Sequence, residues 1–369
     1  MSLINTRLQS FRAKSNLDRN EVRPSRYGAL NLFMQQTQDP AGVLTEELKA
    51  KAEKSIGNTL QTPVIDYNGD ITIGNTRSVT IADSENTSQL FTITFATYSW
   101  GFTIVPAAFM NNEISMQSDF ERKFNSYLYK FGETLDAAAV AALSAGKTQV
   151  FTDLLNYTNV GNVVQVPWKL RENIIGDINP LMAANDHFGE IHLLGNAGVE
   201  SIILKLAEKD LYNAENKTLE FSDKILHFST RITNGTGEFA NMFAVQGGSV
   251  GILTRFERES LLGTKMADGT EWGIDTLPML NFPIGTYFYE SKGDFNAIHG
   301  VATADLTRAR KEHYGFSVDV AFVTPYNSAP ATIANPIMKL AILSETAADA
   351  QKVVISNTTS NPVNTKAVV

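Results

Sequence analysis

The segment from Ser118 to Gly146 constrains the fold most, because it predicts one long amphipathic helix. Ser118 followed by Glu121 is a capping-box pattern, and Gly146 marks the end of the helix. At about 1.5 Å per residue the helix would be roughly 40 Å long, well above the average of about 11 to 12 residues. Gly132 lies inside it, where we expect a bend or a close packing contact. The apolar residues that recur at steps of three or four and define the buried face are Phe120, Phe124, Leu128, Phe131, Leu135, Ala138 and Ala142.

The sequence before this helix alternates with a period of two and predicts a long β-hairpin. Its two strands are expected at Ile71–Ala82 and Gln89–Val105, with a polar turn at Asp83–Ser88. The uncharged stretch 86–112 has this alternation and contains Pro106, which favours a half-buried strand over a membrane span. Two strands alone are only marginally stable, so the hairpin must pack on its own chain or on another chain.

The remaining sequence predicts short helices and strands. Thr45 is expected to cap a surface helix whose narrow apolar stripe ends near Gly57. A bend is expected at Gly161 and Asn162, followed by a pair of helices interrupted at Pro180. A strand, a helix and a strand are expected between 189 and 234, and the run 313–327 alternates as another strand. The predicted fold class is therefore α+β.

Charge is distributed unevenly along the chain. The formal net charge is -8, which argues against a surface that binds nucleic acid everywhere. Residues 1–28 are nevertheless basic, so they form either a flexible arm that contacts a polyanion or a solvated tail. Cysteine is absent, which excludes disulfides and thiolate chemistry and suits a reducing compartment. The basic residues of this segment are Arg7, Arg12, Lys14, Arg19, Arg23 and Arg26.

The sequence motifs that could indicate catalysis, phosphate binding or metal binding are weak. Gly247–Gly251 has the G-x-S-x-G spacing of a nucleophile elbow around Ser249, with Asp275 or Asp294 and His299 or His313 as imaginable partners. The series of strand–helix units that leads to such an elbow is missing, so we interpret it as a turn. Gly146-Lys147-Thr148 ends like a phosphate-binding loop, but the first glycine is replaced by Ala141 and the segment leaves a helix. The five histidines have no metal-ligand spacing, and we expect no cofactor or metal.

Taken in the order in which they occur along the chain, the predicted helices and strands resemble those of the major capsid proteins of tailed bacteriophages, the Hong Kong 97-type coat fold. The resemblance depends on a long hairpin, a long helix ending in ETLDAAAVAALSAG, and the returning strand HYGFSVDVAFVTPYN. It implies an N-terminal arm at 1–60, an extended hairpin loop at 61–108, and a spine helix with peripheral domain at 109–169. An axial domain would follow at 170–305, then returning peripheral strands at 306–343 and a C-terminal tail at 344–369. Encapsulin shells share this layout, so a cargo shell remains an alternative.

The resemblance also implies partners and locations. The chain would be a non-enzymatic subunit of an icosahedral virion shell, assembled in the host cytoplasm from pentamers and hexamers. Packaged DNA or a scaffold would contact the basic arm through Arg7, Arg12, Lys14 and Arg19, and portal or minor capsid proteins are further partners. Some family members cross-link a hairpin lysine, but the segment 71–105 has none, so we expect no such cross-link. A phage tail protein and a serine hydrolase using Ser249 remain alternatives. The expected contacts with neighbouring subunits are Arg77, Asp83, Glu85, Phe91 and Phe95.

Overall fold

The computed structural model describes twelve stretches of the chain. They are residues 7–8, 27–39, 42–55, 57–65, 88–109, 115–148, 157–206, 224–256, 268–278, 280–293, 309–326 and 334–345. The predicted tail beyond 345 and the predicted strand at 71–82 lie outside them. The helices are α1 (Gly28–Thr37), α2 (Glu46–Lys54), α3 (Met116–Gly146), α4 (Ile174–Ala183) and α5 (Ala197–Leu206).

The strands of the described residues form three sheets, which together with the helices confirm the α+β class. They are β1 (Thr59–Ile65), β2 (Ser88–Thr94), β3 (Ala96–Ile104), β4 (Thr158–Asn159), β5 (Val164–Val166), β6 (Ile191–Gly195), β7 (Lys224–Phe228), β8 (Glu238–Gln246), β9 (Gly251–Arg255), β10 (Glu271–Leu277), β11 (Phe282–Gly293), β12 (Ala309–Val323) and β13 (Ile337–Leu343).

The long helix α3 is present and runs for 31 residues, about 46 Å. It begins earlier than predicted, because Ser115 is the N-cap and its side chain accepts a hydrogen bond from the Ser118 amide. Ser118 therefore lies in the first turn and is not the cap. The helix ends at Gly146 as predicted, and the predicted apolar residues from Phe120 to Leu135 face the core. Beyond Leu135 the buried face passes through Ala139 and Leu143, and the predicted Ala138 and Ala142 are only half-buried.

Helix α3 packs on one face of a five-stranded antiparallel sheet. The strand order is β10-β11-β12-β3, and β9 pairs with the end of β12. Aromatic rings fill the interface: Phe124 packs 5.5 Å from Phe316, and Phe120 packs 5.3 Å from Phe102, between ring centroids. The predicted alternation around Phe316 is confirmed, because Phe316, Val318 and Val320 on β12 are all buried. The sheet and α3 thus form one core.

A second core surrounds the six-stranded sheet, whose order is β4-β5-β13-β8-β6-β7. Strands β6 and β7 are parallel and are connected through α5, as the sequence predicted for 189–234. The bend at Gly161 and Asn162 is also confirmed, since both residues have positive φ angles of 60° and 59°. The predicted break at Pro180 is wrong. Helix α4 continues through Pro180, and Ile178, Leu181 and Met182 around it are fully buried, so packing outweighs one lost backbone hydrogen bond.

The two cores meet where α3 passes α1 and the end of β7. Gly132 gives the close contact expected from sequence, because a Cβ there would lie 2.7 Å from Cζ of Tyr27. One turn later, Asp136 is fully buried and accepts hydrogen bonds from the amides of Ala29 and Leu30 at 2.9 and 3.0 Å. Its other oxygen accepts from Ser229 at 2.5 Å. Asp136 on α3 therefore caps α1 and also binds Ser229, which follows β7. Through these hydrogen bonds it connects the two cores.

Candidate assembly surface

Strands β1 and β2 form a two-stranded antiparallel sheet, here called the hairpin stem, that is separate from the other two sheets. Residues pair from Thr59 with Thr94 to Ile65 with Ser88, so the intervening segment 66–87 connects the outer end of the stem. That segment lies outside the described residues. A hairpin is therefore present, but its first strand is Thr59–Ile65 and not the predicted partner at Ile71–Ala82.

The two faces of the stem differ in their burial. On the inner face, Leu60 pairs with Ile93, and each side chain is 4% exposed. On the outer face, Pro63 pairs with Leu90, and Leu90 is 65% exposed. Within the part of the chain that the structure describes, nothing covers this outer apolar pair. Four other residues of the outer face, Thr59, Gln61, Thr92 and Thr94, are polar, so the stem presents one exposed apolar pair at the surface of the subunit.

The base of the stem is held by Arg255 on β9. Its guanidinium donates to Asp319 at 2.6 Å, donates to Ser55 Oγ at 3.1 Å and to the carbonyl of Gly57, and lies over the ring of Phe95. The side chain of Arg255 is only 8% exposed, so these contacts form in a largely desolvated setting. Arg255 therefore connects α2, the start of β1 and the end of β2 to the five-stranded sheet.

Phe95 is where the predicted strand Gln89–Val105 is divided. Its amide donates to the carbonyl of Asn58, after which the chain enters β3 and pairs with β12 instead of β1. Phe95 was expected to contact a neighbouring subunit, but it is 3% exposed and lies in the core with Leu253 and Val323. That expectation is corrected, because the residue anchors the stem within its own chain.

Phe91, another expected subunit contact, is partly buried on the inner face of the stem. Its ring packs edge-on against Tyr326, with centroids 5.5 Å apart. The hydroxyl of Tyr326 donates to Gln89 at 2.6 Å, which ties β2 to the segment after β12. The expected contacts Arg77, Asp83 and Glu85 lie outside the described residues.

The basic N-terminal segment is described only at Arg7 and Leu8. Arg7 was expected to face DNA or a scaffold, but it is 9% exposed and forms an ion pair with Glu312 at 3.3 Å. Its positive charge is therefore compensated inside the chain and is not presented to a polyanion. Arg12, Lys14 and Arg19 lie outside the described residues.

Ser249 does not occupy a nucleophile elbow. It lies in a turn between β8 and β9, so a strand follows where an elbow requires a helix. Its hydroxyl donates to the carbonyl of Gln246 at 2.7 Å, and the residue is 6% exposed. The arrangement supports the interpretation of this glycine-rich sequence as a turn.

The segment that resembles the end of a phosphate-binding loop has a packing role. The Gly146 carbonyl accepts from the side-chain amide of Asn335, and the Thr148 hydroxyl accepts from the Asn335 backbone amide. Among the described residues, no group of three or more histidine or acidic side chains is arranged to hold a metal ion. None of the described helices is long and apolar enough to span a membrane.

Sequence reasoning did not find Arg255 or Asp136. Each is a single charged residue in an otherwise ordinary segment, and its partners are distant in the chain: Asp319 lies 64 residues from Arg255. The amides that Asp136 accepts from lie more than 100 residues before it. A weak signal existed for Asp136, because it is a charged residue one turn after Gly132 on the apolar face of α3.

No protein-family model and no curated protein matches the chain. Solved structures are similar to it at low identity. The capsid of cyanophage Pam1 has a TM-score of 0.48 at 11% identity, covering 80% of this chain and 87% of that one. The capsid of cyanophage P-SCSP1u has a TM-score of 0.46 at 10% identity, covering 78% and 84%. The mature capsid of bacteriophage PhiM1 has a TM-score of 0.44 at 11% identity, covering 78% and 82%.

Proposed function

We propose that the chain is a major capsid protein that self-assembles into an icosahedral shell around the genome of a tailed phage. The observation that carries the proposal is the hairpin stem, a two-stranded sheet separate from the other two sheets, whose outer pair Pro63 and Leu90 is exposed. Its location would be the virion capsid, after assembly in the host cytoplasm.

The energetic argument begins with the exposed pair Pro63 and Leu90. Burying a leucine side chain contributes roughly 1.5 to 3 kcal/mol, and an isolated two-stranded sheet is marginally stable. A neighbouring subunit that covers the outer face of the stem would supply this burial in every copy of the chain. Assembly would then contribute to the stability of each subunit.

The other partners follow from the order of elements that the sequence shares with coat proteins. Copies of the chain would form pentamers and hexamers, with Arg77, Asp83 and Glu85 on the hairpin contributing polar contacts. Arg12, Lys14 and Arg19 would contact packaged DNA or an acidic scaffold without sequence preference, and salt would weaken that contact. Portal and minor capsid proteins would join the same shell. The domain limits given from sequence are part of this proposal.

The test is negative-stain electron microscopy with light scattering on the purified chain. Closed shells, pentamers or hexamers would support the proposal, and a monodisperse monomer of 40.5 kDa across a wide range of salt and concentration would contradict it. Rings or tubes would indicate a tail protein instead. Shells isolated from the native source with protein cargo and no nuclease-protected DNA would indicate an encapsulin-like compartment.

A substitution on the stem makes the test specific. Leu90→Asp places a charge on the exposed face and is expected to abolish shells while leaving the subunit folded, because Leu90 makes no core contact. Val160→Asp changes another exposed apolar residue, 53% exposed and outside the stem, and serves as the matched control. Shells that form equally well from Leu90→Asp would show that the outer face of the stem is not an interface.

A further inference from the structure

The segment between β7 and β8 contains an Asn-Gly pair, Asn234 and Gly235, and both residues are exposed. In such a pair the backbone nitrogen of the glycine can attack the side-chain carbonyl carbon of the asparagine, because glycine has no Cβ to obstruct ring closure. The products are a cyclic succinimide and ammonia. Whether the folded chain favours this reaction depends on the groups that surround the pair.

Asn196 directs a hydrogen-bond donor at the side-chain carbonyl of Asn234. Its Oδ1 accepts from the amides of Gly198 and Val199 at 3.1 and 3.4 Å at the start of α5, so its Nδ2 points away from that helix. This Nδ2 donates to Asn234 Oδ1 at 2.6 Å. Asn234 Nδ2 donates to the carbonyl of Phe239 at 2.8 Å, which determines the end of the amide that faces Asn196. Negative charge that develops on Asn234 Oδ1 would therefore meet a donor that is already in place.

Glu238 holds the nitrogen that would attack. Its Oε2 accepts a hydrogen bond from the backbone amide of Gly235. Glycine allows this approach, because a Cβ at position 235 would lie 2.9 Å from the same carboxylate oxygen. A carboxylate in hydrogen-bond contact with an N–H group is positioned to remove its proton as a general base.

Asn241 connects the base to the carbonyl group. Its Nδ2 lies 2.6 Å from Glu238 Oε2 and 3.2 Å from Asn234 Oδ1, and it also donates to the carbonyl of Thr233 at 3.2 Å. Asn241 is fully buried on β8, so its side chain is held by the sheet and not by the exposed turn. The general base and the polarised carbonyl therefore lie beside one fixed donor.

We propose that Asn234 is a site of self-modification, where the fold promotes succinimide formation with Gly235. Glu238 takes the proton from the Gly235 nitrogen as this nitrogen bonds to Cγ of Asn234, and Asn196 stabilises the charge on Oδ1. The bond between Cγ and Nδ2 then breaks, the proton on Glu238 passes to the departing nitrogen, and ammonia leaves. Water opens the ring to aspartate or isoaspartate, so the net reaction converts an amide and water into a carboxyl group and ammonia.

The modification changes the turn irreversibly. It places a second carboxyl group near Glu238 and removes the amide that donates to Phe239. The inference goes beyond the proposed function, because it holds for the subunit whether or not copies of the chain form a shell.

The experiment follows the mass of one tryptic peptide while the full folded chain is incubated at neutral pH. Cleavage after Arg231 and Arg255 gives the peptide 232–255, and a digest taken at the start corrects for modification during digestion. We expect the mass increase of amide-to-carboxyl conversion to accumulate with time and to be located at Asn234 by fragmentation. Asn241 in the same peptide should remain unchanged.

Two variants test the roles of the surrounding groups. Glu238→Gln keeps an acceptor for the Gly235 amide but is not a base, and it should slow the modification about tenfold or more. Asn196→Asp keeps the cap of α5 but removes the donor, and it should also slow the reaction about tenfold or more. Glu200→Gln removes an exposed carboxylate of α5 and is the control with an unchanged rate. Urea unfolding shows whether each variant is folded.

A synthetic peptide of residues 230–242 separates the effect of the fold from that of the local sequence. The folded chain is expected to be modified faster than this peptide, and Glu238→Gln in the peptide should have no effect, because the carboxylate is not held against the amide there. A folded chain that is modified more slowly than the peptide would overturn the proposal. Equal rates in the native chain and in both folded variants, Glu238→Gln and Asn196→Asp, would also overturn it.

Discussion

The guanidinium of Arg255 lies over the ring of Phe95, with its Cζ 4.6 Å from the ring centroid, while the same group is paired with Asp319. One buried side chain therefore holds both the strand break at Phe95 and the end of β12. Arg255 therefore holds the base of the hairpin stem, while Tyr326 holds β2 nearer its outer end through Phe91 and Gln89.

Arg255→Met is expected to destabilise the subunit by about 3 to 5 kcal/mol, because it leaves Asp319 partly buried without its cation. The stem should also become sensitive to limited proteolysis before the two cores unfold. Denaturant unfolding and mass spectrometry of the first cleavage products measure both effects. Arg122→Met removes a cation whose side chain is 82% exposed and is the control, with an expected change below about 0.5 kcal/mol. Equal stability of the two variants would refute the role given to Arg255.

Gly132→Ala tests the contact between α3 and Tyr27. Alanine is the better helix former by about 1 kcal/mol, so helix propensity alone predicts stabilisation. The added Cβ would lie 2.7 Å from Tyr27 Cζ and 2.8 Å from Cε2, so we expect a net loss of about 1 to 3 kcal/mol through overpacking. Thermal and urea unfolding of the purified variant provide the measurement.

Gly176→Ala is the matched control for this contact. Gly176 also lies inside a helix, α4, but a Cβ added there would meet no heavy atom within 4 Å. The same substitution should be neutral or stabilising by up to about 1 kcal/mol. If both variants were stabilised alike, the close packing of Tyr27 on Gly132 would have no energetic consequence.

Local patterns sufficed to predict the elements whose formation depends on nearby residues. The stripe of α3 repeats over about six turns, so its position and its end at Gly146 were predicted. The start was misplaced because Ser115 and Ser118 are both good caps, and the local sequence does not choose between them. The alternation in β12 was equally clear, since Phe316, Val318 and Val320 face one core.

Long-range contacts could not be predicted from these patterns. In the run from Gln89 to Val105 the apolar positions change from odd numbers up to Phe95 to even numbers from Tyr98, a shift that the prediction of one strand overlooked. The partners, β1 for the first half and β12 for the second, show that the run is two strands. Pro180 was expected to end a helix, yet the packing of Ile178 and Leu181 overrides it. The subunit contacts were expected on the hairpin, and Phe95 was assigned to its outer face because alternation does not identify which face is buried.

Asp136→Ala should be among the most damaging substitutions in the chain. It removes the acceptor for the Ala29 and Leu30 amides and for the Ser229 hydroxyl at once, and a hydrogen bond to a charged group contributes about 1.5 to 3 kcal/mol. We expect a loss of about 3 kcal/mol or more in urea unfolding, and faster amide exchange at Ala29 and Leu30. Glu46→Ala, whose side chain is 88% exposed, is the control.

Ser229→Ala extends this test to a double-mutant cycle. Alone it should cost about 1 to 3 kcal/mol, because the carboxylate loses one of its donors. In the Asp136→Ala background the same change should cost clearly less, since the shared hydrogen bond is already gone. Additive losses of unfolding free energy would show that Asp136 and Ser229 act separately. The contact between the two cores would then not depend on their hydrogen bond.

The pair His192 and His227 predicts an acid-sensitive stability. Their rings stack in adjacent parallel strands, with Nδ1 of His192 3.1 Å from Nε2 of His227, so one ring donates to the other while both are neutral. Burial, and then the neighbouring His192, lower the pKa of His227 to about 4, and burial also lowers the pKa of His192.

The sign of the effect follows from proton linkage. Below the unfolded pKa of about 6.5, the unfolded chain binds protons that the native pair does not, so the free energy of unfolding decreases as the pH falls from about 6.5 to 4. For His227 alone the loss is about 3 kcal/mol across this window, at about 1.4 kcal/mol per pKa unit. Asp136 changes the free energy of unfolding with pH in the opposite direction, because burial raises the pKa of its carboxyl.

Urea unfolding at several pH values, compared between the native chain and His227→Asn, isolates the histidine contribution. The variant should show a shallower loss of stability toward low pH, and parallel curves would mean that protonation of His227 does not limit the fold.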